Sequence, residues 1–302
     1  MSGKIIKSLI LSFIAIILPA SCSLMKRGPV RNDNGKDFNG TLEKLIHQCT
    51  VPGPAKRYMY VYLPESYYTS DRAYPTVYLL HGANGNETSW IRKGRILESI
   101  DSLSAKGEIE ECIYVFPNTN HYYNDYDYGD SREKKSIDAF LGLNGNVEYA
   151  FITDVVAYID RNFRTIPQKE HRAICGLSLG GLQTLYISAN FHDMFEYVGL
   201  FSPLIYPPFK IGGRNSFYRG LESKLDRQFT SEPAVYTIMA GKEDIYYNSA
   251  YFYSRYLDEL GHTHSFQATP GGHDWTNWKI YSIIFLKVCG GNDPPQTFAY
   301  IV

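Results

Sequence analysis

The 302-residue chain carries no block of like charge, no metal-type cysteine spacing, no internal repeat and no long apolar run. Each absence excludes something. Lysine plus arginine number 30 against 31 aspartates and glutamates, a formal net charge of −1. With no basic run or stripe, nucleic acid is not an expected partner. Five cysteines are present, and the four beyond Cys22 (Cys49, Cys112, Cys175 and Cys289) fit no zinc motif. A protein of this length needs no disulfide framework, although an exported chain could pair two of them. Cys112 and Cys175 sit in apolar, strand-like runs, where a cysteine usually serves as a small buried hydrophobe. No break in composition splits the chain, and no metal or organic cofactor is implied.

The hydrophobic share is 44%, enough for a sizeable core. Tyrosine and phenylalanine are abundant, at 26 and 16. Tyrosine joins a flat apolar face to a polar tip, which suits surfaces that bind sugars or phenols as well as ordinary packing. At the N-terminus, Lys4 and Lys7 precede an apolar stretch from Leu9 to Leu18, followed by Pro19-Ala20-Ser21-Cys22. The stretch is short of the ~20 residues that span a bilayer, and the layout is that of a secretory signal. Small residues before Cys22 resemble a lipobox, with Pro19 where leucine is usual; cleavage near Ala20 without lipidation is the alternative. The expected organisation is a signal peptide over 1–22, a polar tether over 23–45 and one folded domain over 46–302. Any membrane association would then run through a lipid on Cys22, and the protein is expected to be exported, as an envelope lipoprotein or a secreted or periplasmic protein.

Downstream, apolar strand-like runs alternate with helical periodicity. Strands are expected at Arg57–Leu63, Thr76–Leu80, Cys112–Phe116, Arg172–Cys175, Tyr197–Phe201, Ala234–Ala240 and Ser265–Ala268. Helices are expected at Ser89–Ala105, Glu148–Phe163, Leu179–Ala189, Asn248–Leu260 and Trp275–Val288. This alternation predicts an α/β fold, a mostly parallel sheet with helices on both faces. The segment from Asn118 to Asn146 lacks periodicity and carries Tyr122, Tyr123, Tyr126 and Tyr128, which reads as a functional loop.

Gly176-Leu177-Ser178-Leu179-Gly180 fits G-x-S-x-G directly between a strand and a helix. A serine at so sharp a turn needs neighbours without side chains, and the following helix aims N–H groups and its positive end at the site. Ser178 is therefore the candidate nucleophile. A hydroxyl at neutral pH needs a base. Among eight histidines, His273 in Gly271-Gly272-His273-Asp274-Trp275 follows a strand and precedes the last helix, the place of a base in the chain order serine, acid, histidine. The acid should lie between them after a strand. Glu243 and Asp244 both qualify, and Asp244 leads because the shorter carboxylate is the commoner orienter. Donors for the developing oxyanion are assigned to the N–H of Leu179 and, after the Thr76–Leu80 strand, to that of Ala83, with Gly82 close behind it, in His81-Gly82-Ala83-Asn84-Gly85.

Leu79-Leu80-His81-Gly82, Glu87-Thr88-Ser89-Trp90, Pro117-Asn118-Thr119-Asn120, Gly176–Gly181, Gly241–Asp244 and Gly272-His273-Asp274-Trp275 with Trp278 occur in one order. On these residues the chain resembles the esterase D-related branch of α/β-hydrolases, and within it the feruloyl esterases of xylan-degrading systems. The resemblance spans roughly Tyr58 to Leu286 by pattern. It implies the α/β-hydrolase fold, puts the acid on Asp244, and implies release of an aromatic acid from plant polysaccharide through an acyl-enzyme. Leu179 stands where methionine is commoner, and the tyrosine-rich segment is longer than in feruloyl esterases. Tyr122, Tyr123, Tyr126, Tyr128 and Trp275 are the candidate substrate contacts. Other readings are an acetyl-xylan or small-ester esterase, an acyltransferase, and a catalytically silent carbohydrate-binding lipoprotein.

Overall fold

The structure, a computed structural model, describes residues 38–50, 56–120, 145–205, 218–231 and 233–291. Eight strands form one sheet: β1 (Thr41–Gln48), β2 (Lys56–Leu63), β3 (Thr76–Leu80), β4 (Ile113–Pro117), β5 (Arg172–Leu177), β6 (Tyr197–Phe201), β7 (Val235–Gly241) and β8 (Ser265–Thr269). Their order across the sheet is β1-β2-β4-β3-β5-β6-β7-β8. β1 and β2 are antiparallel to each other, and β2 is antiparallel to β4. From β4 to β8 every pairing is parallel. This is the α/β-hydrolase fold.

The helices are α1 (Ser89–Arg92), α2 (Ile96–Ala105), α3 (Asn146–Ala150), α4 (Ala157–Asn162), α5 (Leu179–Asn190), α6 (Leu221–Thr230), α7 (Tyr247–Glu259) and α8 (Trp275–Gly290). A π-helical turn, Phe151–Val156, joins α3 to α4. Side chains alternate across a strand, so the central strands are apolar throughout and feed two cores. Tyr78 and Leu80 of β3 pack with Leu182 of α5, Leu225 of α6 and Tyr253 of α7 on one face. Val77 and Leu79 pack with Trp90, Leu97, Tyr281 and Phe285 of α1, α2 and α8 on the other. Cys112 and Cys175 belong to this second core, where burial pushes both thiols up and leaves them inert packing groups. All four cysteines in the described residues are free thiols.

Four elements differ from the sequence expectation, one of them the helix expected over Glu148–Phe163, which the π-helical turn at Phe151–Val156 divides into α3 and α4. The tether expected over 23–45 ends earlier, because Thr41–Leu45 already pairs with β2. β1 is an edge strand with a largely half-exposed surface, so its pattern carries little apolar alternation. The single helix expected from Ser89 to Ala105 is two. Its first turn closes with the Lys93 and Gly94 N–H groups donating to Ser89 O, and Arg95 then takes a left-handed φ of 51°. A Cβ on Gly94 would lie 2.4 Å from Trp90 O, so glycine is required where the turn closes. α6 was not expected; its apolar residues are Leu221, Leu225 and Phe229, set among seven polar or charged ones. Among the described residues no helix is long and apolar enough to cross a membrane.

Candidate active site

The site lies at the C-terminal ends of β3, β5, β6 and β7. β5 runs through Leu177 and α5 begins at Leu179, so Ser178 alone makes the reversal, at φ 55° and ψ −116°. That region is costly for any residue with a Cβ and persists only where the surroundings enforce it. They do so here on both sides of the backbone. Ser178 N–H donates to Phe201 O at the end of β6, and Ser178 O accepts from Leu204 N–H at 3.0 Å. A Cβ on Gly176 would meet Gly180 O at 2.3 Å, and one on Gly180 would meet His81 O at 2.5 Å. The two glycines of the motif are therefore fixed by contact with backbone.

The structure brings the three sequence candidates together. His273 Nε2 lies 2.9 Å from Ser178 Oγ, and His273 Nδ1 lies 3.0 Å from each carboxylate oxygen of Asp244. With Nδ1–H donating to Asp244, Nε2 is left to accept the serine proton. Ser178 and Asp244 are buried, and His273 is half-buried. The histidine ring is walled edge-on by Tyr246 and Trp278, both with centroids 4.9 Å away. Burial alone would raise the Asp244 carboxyl; the His273 hydrogen bond, the neighbouring Ser202 hydroxyl and the Tyr246 N–H at 2.7 Å outweigh it and hold it below the ordinary value. Ser202 Oγ contributes by proximity, without a hydrogen bond of ordinary geometry. Glu243, the rival acid, points elsewhere and accepts from Gly271 N–H. Asp274 caps α8, accepting from the N–H groups of Thr276 and Asn277.

Ala83 and Leu179 sit on two segments that converge on Ser178. Leu179 is the first residue of α5, where helix N–H groups have no intrahelical acceptor. The loop after β3 presses on the elbow, since a Cβ on Gly82 would stand 3.2 Å from Ser178 Cβ. Neither the Ala83 nor the Leu179 N–H has a hydrogen-bond partner among the described residues. Trp275 is placed in packing: its half-buried ring meets Trp90 and Trp278 edge-on, both at 5.3 Å. Tyr122, Tyr123, Tyr126, Tyr128 and Cys22 lie outside the described residues. No group of three or more histidine, cysteine, aspartate or glutamate side chains that could hold a metal occurs among the described residues.

A buried polar layer lies beneath the site; sequence reasoning missed Gln183, and it placed Glu87, Asn118 and Thr119 in segments that carry the family resemblance without giving them a role. Gln183, Thr119 and Asn118 are buried, as is Glu87. Gln183 lies inside an otherwise apolar helix face, and the other three lie in loops, so no periodicity marks them.

A parallel sheet with a strained serine between β5 and α5, backed by histidine and aspartate from later loops, defines a serine hydrolase-type member of the α/β-hydrolase fold. The chain belongs to the Esterase family, whose pattern it matches over residues 54–245. It is 36% identical over 181 residues to an endo-1,4-beta-xylanase/feruloyl esterase of Xylanibacter ruminicola, a match covering 58% of this chain and 23% of that protein. The chain thus spans under a quarter of that relative's length. An acetyl esterase of Caldicellulosiruptor saccharolyticus is 27% identical over 235 residues, covering 68% of this chain and 79% of the relative. Among solved structures, a CE1 ferulic acid esterase from Anaeromyces mucronatus in complex with ferulic acid has a TM-score of 0.68 and 25% identity, over 85% of this chain and 92% of that one.

Proposed function

We propose that the chain is an exported serine carboxylic-ester hydrolase that releases an aromatic acid of the ferulate type from plant cell-wall polysaccharide. The observation that carries the reading is the continuous hydrogen-bonded line from Ser178 Oγ through His273 to Asp244. In the first half-reaction Ser178 Oγ attacks the ester carbonyl carbon while His273 Nε2 takes its proton. The tetrahedral oxyanion is held by the Leu179 and Ala83 N–H groups, and the alcohol leaves with the proton from His273. Water then attacks the acyl-enzyme with His273 as base, and the acid departs from a regenerated Ser178. Asp244 keeps the imidazole in the tautomer this requires and stabilises the imidazolium formed at each step.

The aromatic acid is supported by likeness to the Xylanibacter protein and to the Anaeromyces esterase in its ferulic acid complex. A second reading, hydrolysis of acetyl or other small esters, draws on the acetyl esterase, which matches along most of its own length. Export is supported by the basic, apolar and small-residue order of residues 1–22, with Cys22 as the proposed lipid-bearing residue.

The test is turnover of methyl ferulate beside p-nitrophenyl acetate by the purified full chain and its Ser178→Ala variant. Activity on both, lost by three or more orders of magnitude in the variant, supports the feruloyl reading (~10³-fold or greater). Activity on acetate alone moves the substrate to small esters. A folded protein inactive on both overturns the hydrolase reading.

A further inference from the structure

The two N–H groups assigned to the oxyanion belong to separate elements, and covalent chain fixes neither against the other. Leu179 opens α5, whereas Ala83 follows β3. Beneath them runs a buried line of hydrogen bonds that the proposed chemistry does not use. Gln183, one turn into α5, has its Nε2 donating to Thr119 O at 3.1 Å and to Glu148 Oε1 at 3.1 Å. Its Oε1 accepts from the Thr119 hydroxyl at 2.8 Å. Thr119 N–H donates to His81 Nε2 at 3.1 Å. His81 Nδ1–H in turn donates to Gly82 O at 2.8 Å, the carbonyl of the peptide unit whose N–H is that of Ala83.

Each partner fixes the next. The Gln183 amide has two acceptors on its nitrogen and one donor on its oxygen, so its orientation is determined. His81 must accept at Nε2, which leaves the proton on Nδ1 and the ring neutral. Exposure is 1% at Gln183, 4% at Thr119 and 2% at His81, so no solvent can replace a lost partner. The tripeptide around Thr119 is clamped on both sides. Asn118 Nδ2 donates to Glu87 Oε2 at 2.9 Å, Asn120 Nδ2 donates to Gly85 O, and Arg57 Nη1 donates to the carbonyls of Asn118 and Asn120.

We propose that Gln183, Thr119 and His81 are positioning residues that tie the Gly82–Ala83 peptide to the first turn of α5 and so set the gap between the two oxyanion donors. The proposal rests on the esterase reading above. An oxyanion donor counts only at about 2.7–3.1 Å from the charge that forms, and a displacement of ~1 Å can cost ~10²-fold in rate. A clasp of this kind acts on the transition state and leaves binding of the planar ester nearly unchanged.

The test uses the full chain with Thr119→Val, which keeps shape and backbone but removes the hydroxyl, Thr119→Ser, which restores it, and Gln183→Met. Wild-type turnover of p-nitrophenyl acetate, lost in Ser178→Ala, is established first; its absence would overturn the esterase reading before the clasp is tested. Thr119→Val and Gln183→Met are expected to lower kcat about 10- to 100-fold with KM within about threefold. Affinity for an aryl boronic acid, which forms a tetrahedral adduct on Ser178, should fall in parallel with kcat. Thr119→Ser should lie within about threefold of wild type, and the Val–Met double variant should be little worse than either single one. A kcat unchanged in both apolar variants overturns the proposal. So does a loss in kcat that boronate affinity does not follow, or that Thr119→Ser shares. Thermal unfolding is recorded for each variant, and if Thr119→Val does not fold, Gln183→Met against Thr119→Ser decides the matter by the same readouts.

Discussion

Asp244 presents both carboxylate oxygens to a single nitrogen of His273, each at 3.0 Å. Neighbouring Glu243 turns its carboxylate to the Gly271 N–H instead. Two adjacent acids thus have separate tasks. One orients a ring, and the other closes the turn that delivers it.

This division predicts unequal variants. Asp244→Asn should leave the fold in place and lower kcat by about 10³- to 10⁴-fold, because an amide can donate to Nδ1 and so favour the tautomer that cannot accept from Ser178. Glu243→Gln keeps an acceptor for Gly271 and should change kcat less than about tenfold. Steady-state kinetics of the pair on one ester decide it. Comparable losses would make the two acids interchangeable and remove Asp244 from its role.

The elbow makes a second prediction. Gly180→Ala would place a Cβ 2.5 Å from His81 O and 2.6 Å from Leu80 O, both backbone atoms at the end of a central strand. Neither can move without dragging the loop that bears Ala83. A loss of about 1–3 kcal/mol in stability is expected from overpacking, together with a fall in kcat as the oxyanion loop is pushed from α5. Denaturant unfolding and kinetics on the same preparation check both parts.

Trp275 provides a third. Its ring packs edge-on between Trp90 and Trp278, and Trp278 in turn walls His273. Trp275→Ala should therefore destabilise the chain by about 2–4 kcal/mol, as removal of a half-buried aromatic does, and lower kcat through a looser His273. KM for methyl ferulate should stay within about threefold. A large rise in KM with stability intact would instead give Trp275 the substrate contact suggested by its place in the sequence.

The fold was legible wherever burial on both faces left a plain mark. Thr76–Leu80 and Tyr197–Phe201 are apolar runs, and the strands coincide with them. The elbow was legible because steric demand leaves glycines behind, and the meeting of Ser178, His273 and Asp244 because serine, acid and histidine follow strands in a fixed order. Elements with one exposed face were harder to read. β1 escaped because an edge strand tolerates polar residues, and α6 because Leu221, Leu225 and Phe229 seat a helix that is otherwise polar. The break at Gly94–Arg95 depends on a contact with Trp90 O that no local pattern reveals. Gln183 was silent, and Thr119 stood in a family-like segment without a role, for a related reason: a buried polar pair is defined by its partner across space.

The neutral state of His81 carries a pH dependence of stability. Burial is the largest influence and lowers its pKa from the ordinary value near 6.5, against the raising effect of its bond to Gly82 O. The unfolded chain therefore takes up this proton at a higher pH than the folded one. The stabilising contribution is fully present above about 6.5 and is lost as pH falls from there toward the depressed folded value. His47 and His262 are shifted in the same direction, also chiefly by burial, and steepen the same slope. In His81→Asn the contributions of His47 and His262 remain, so unfolding free energy should decline less steeply between about pH 6.5 and 5 than in the wild type. Denaturant unfolding across that range measures the difference. Parallel slopes would mean that His81 binds its proton equally in both states, and that the Thr119 N–H is not held by a neutral Nε2.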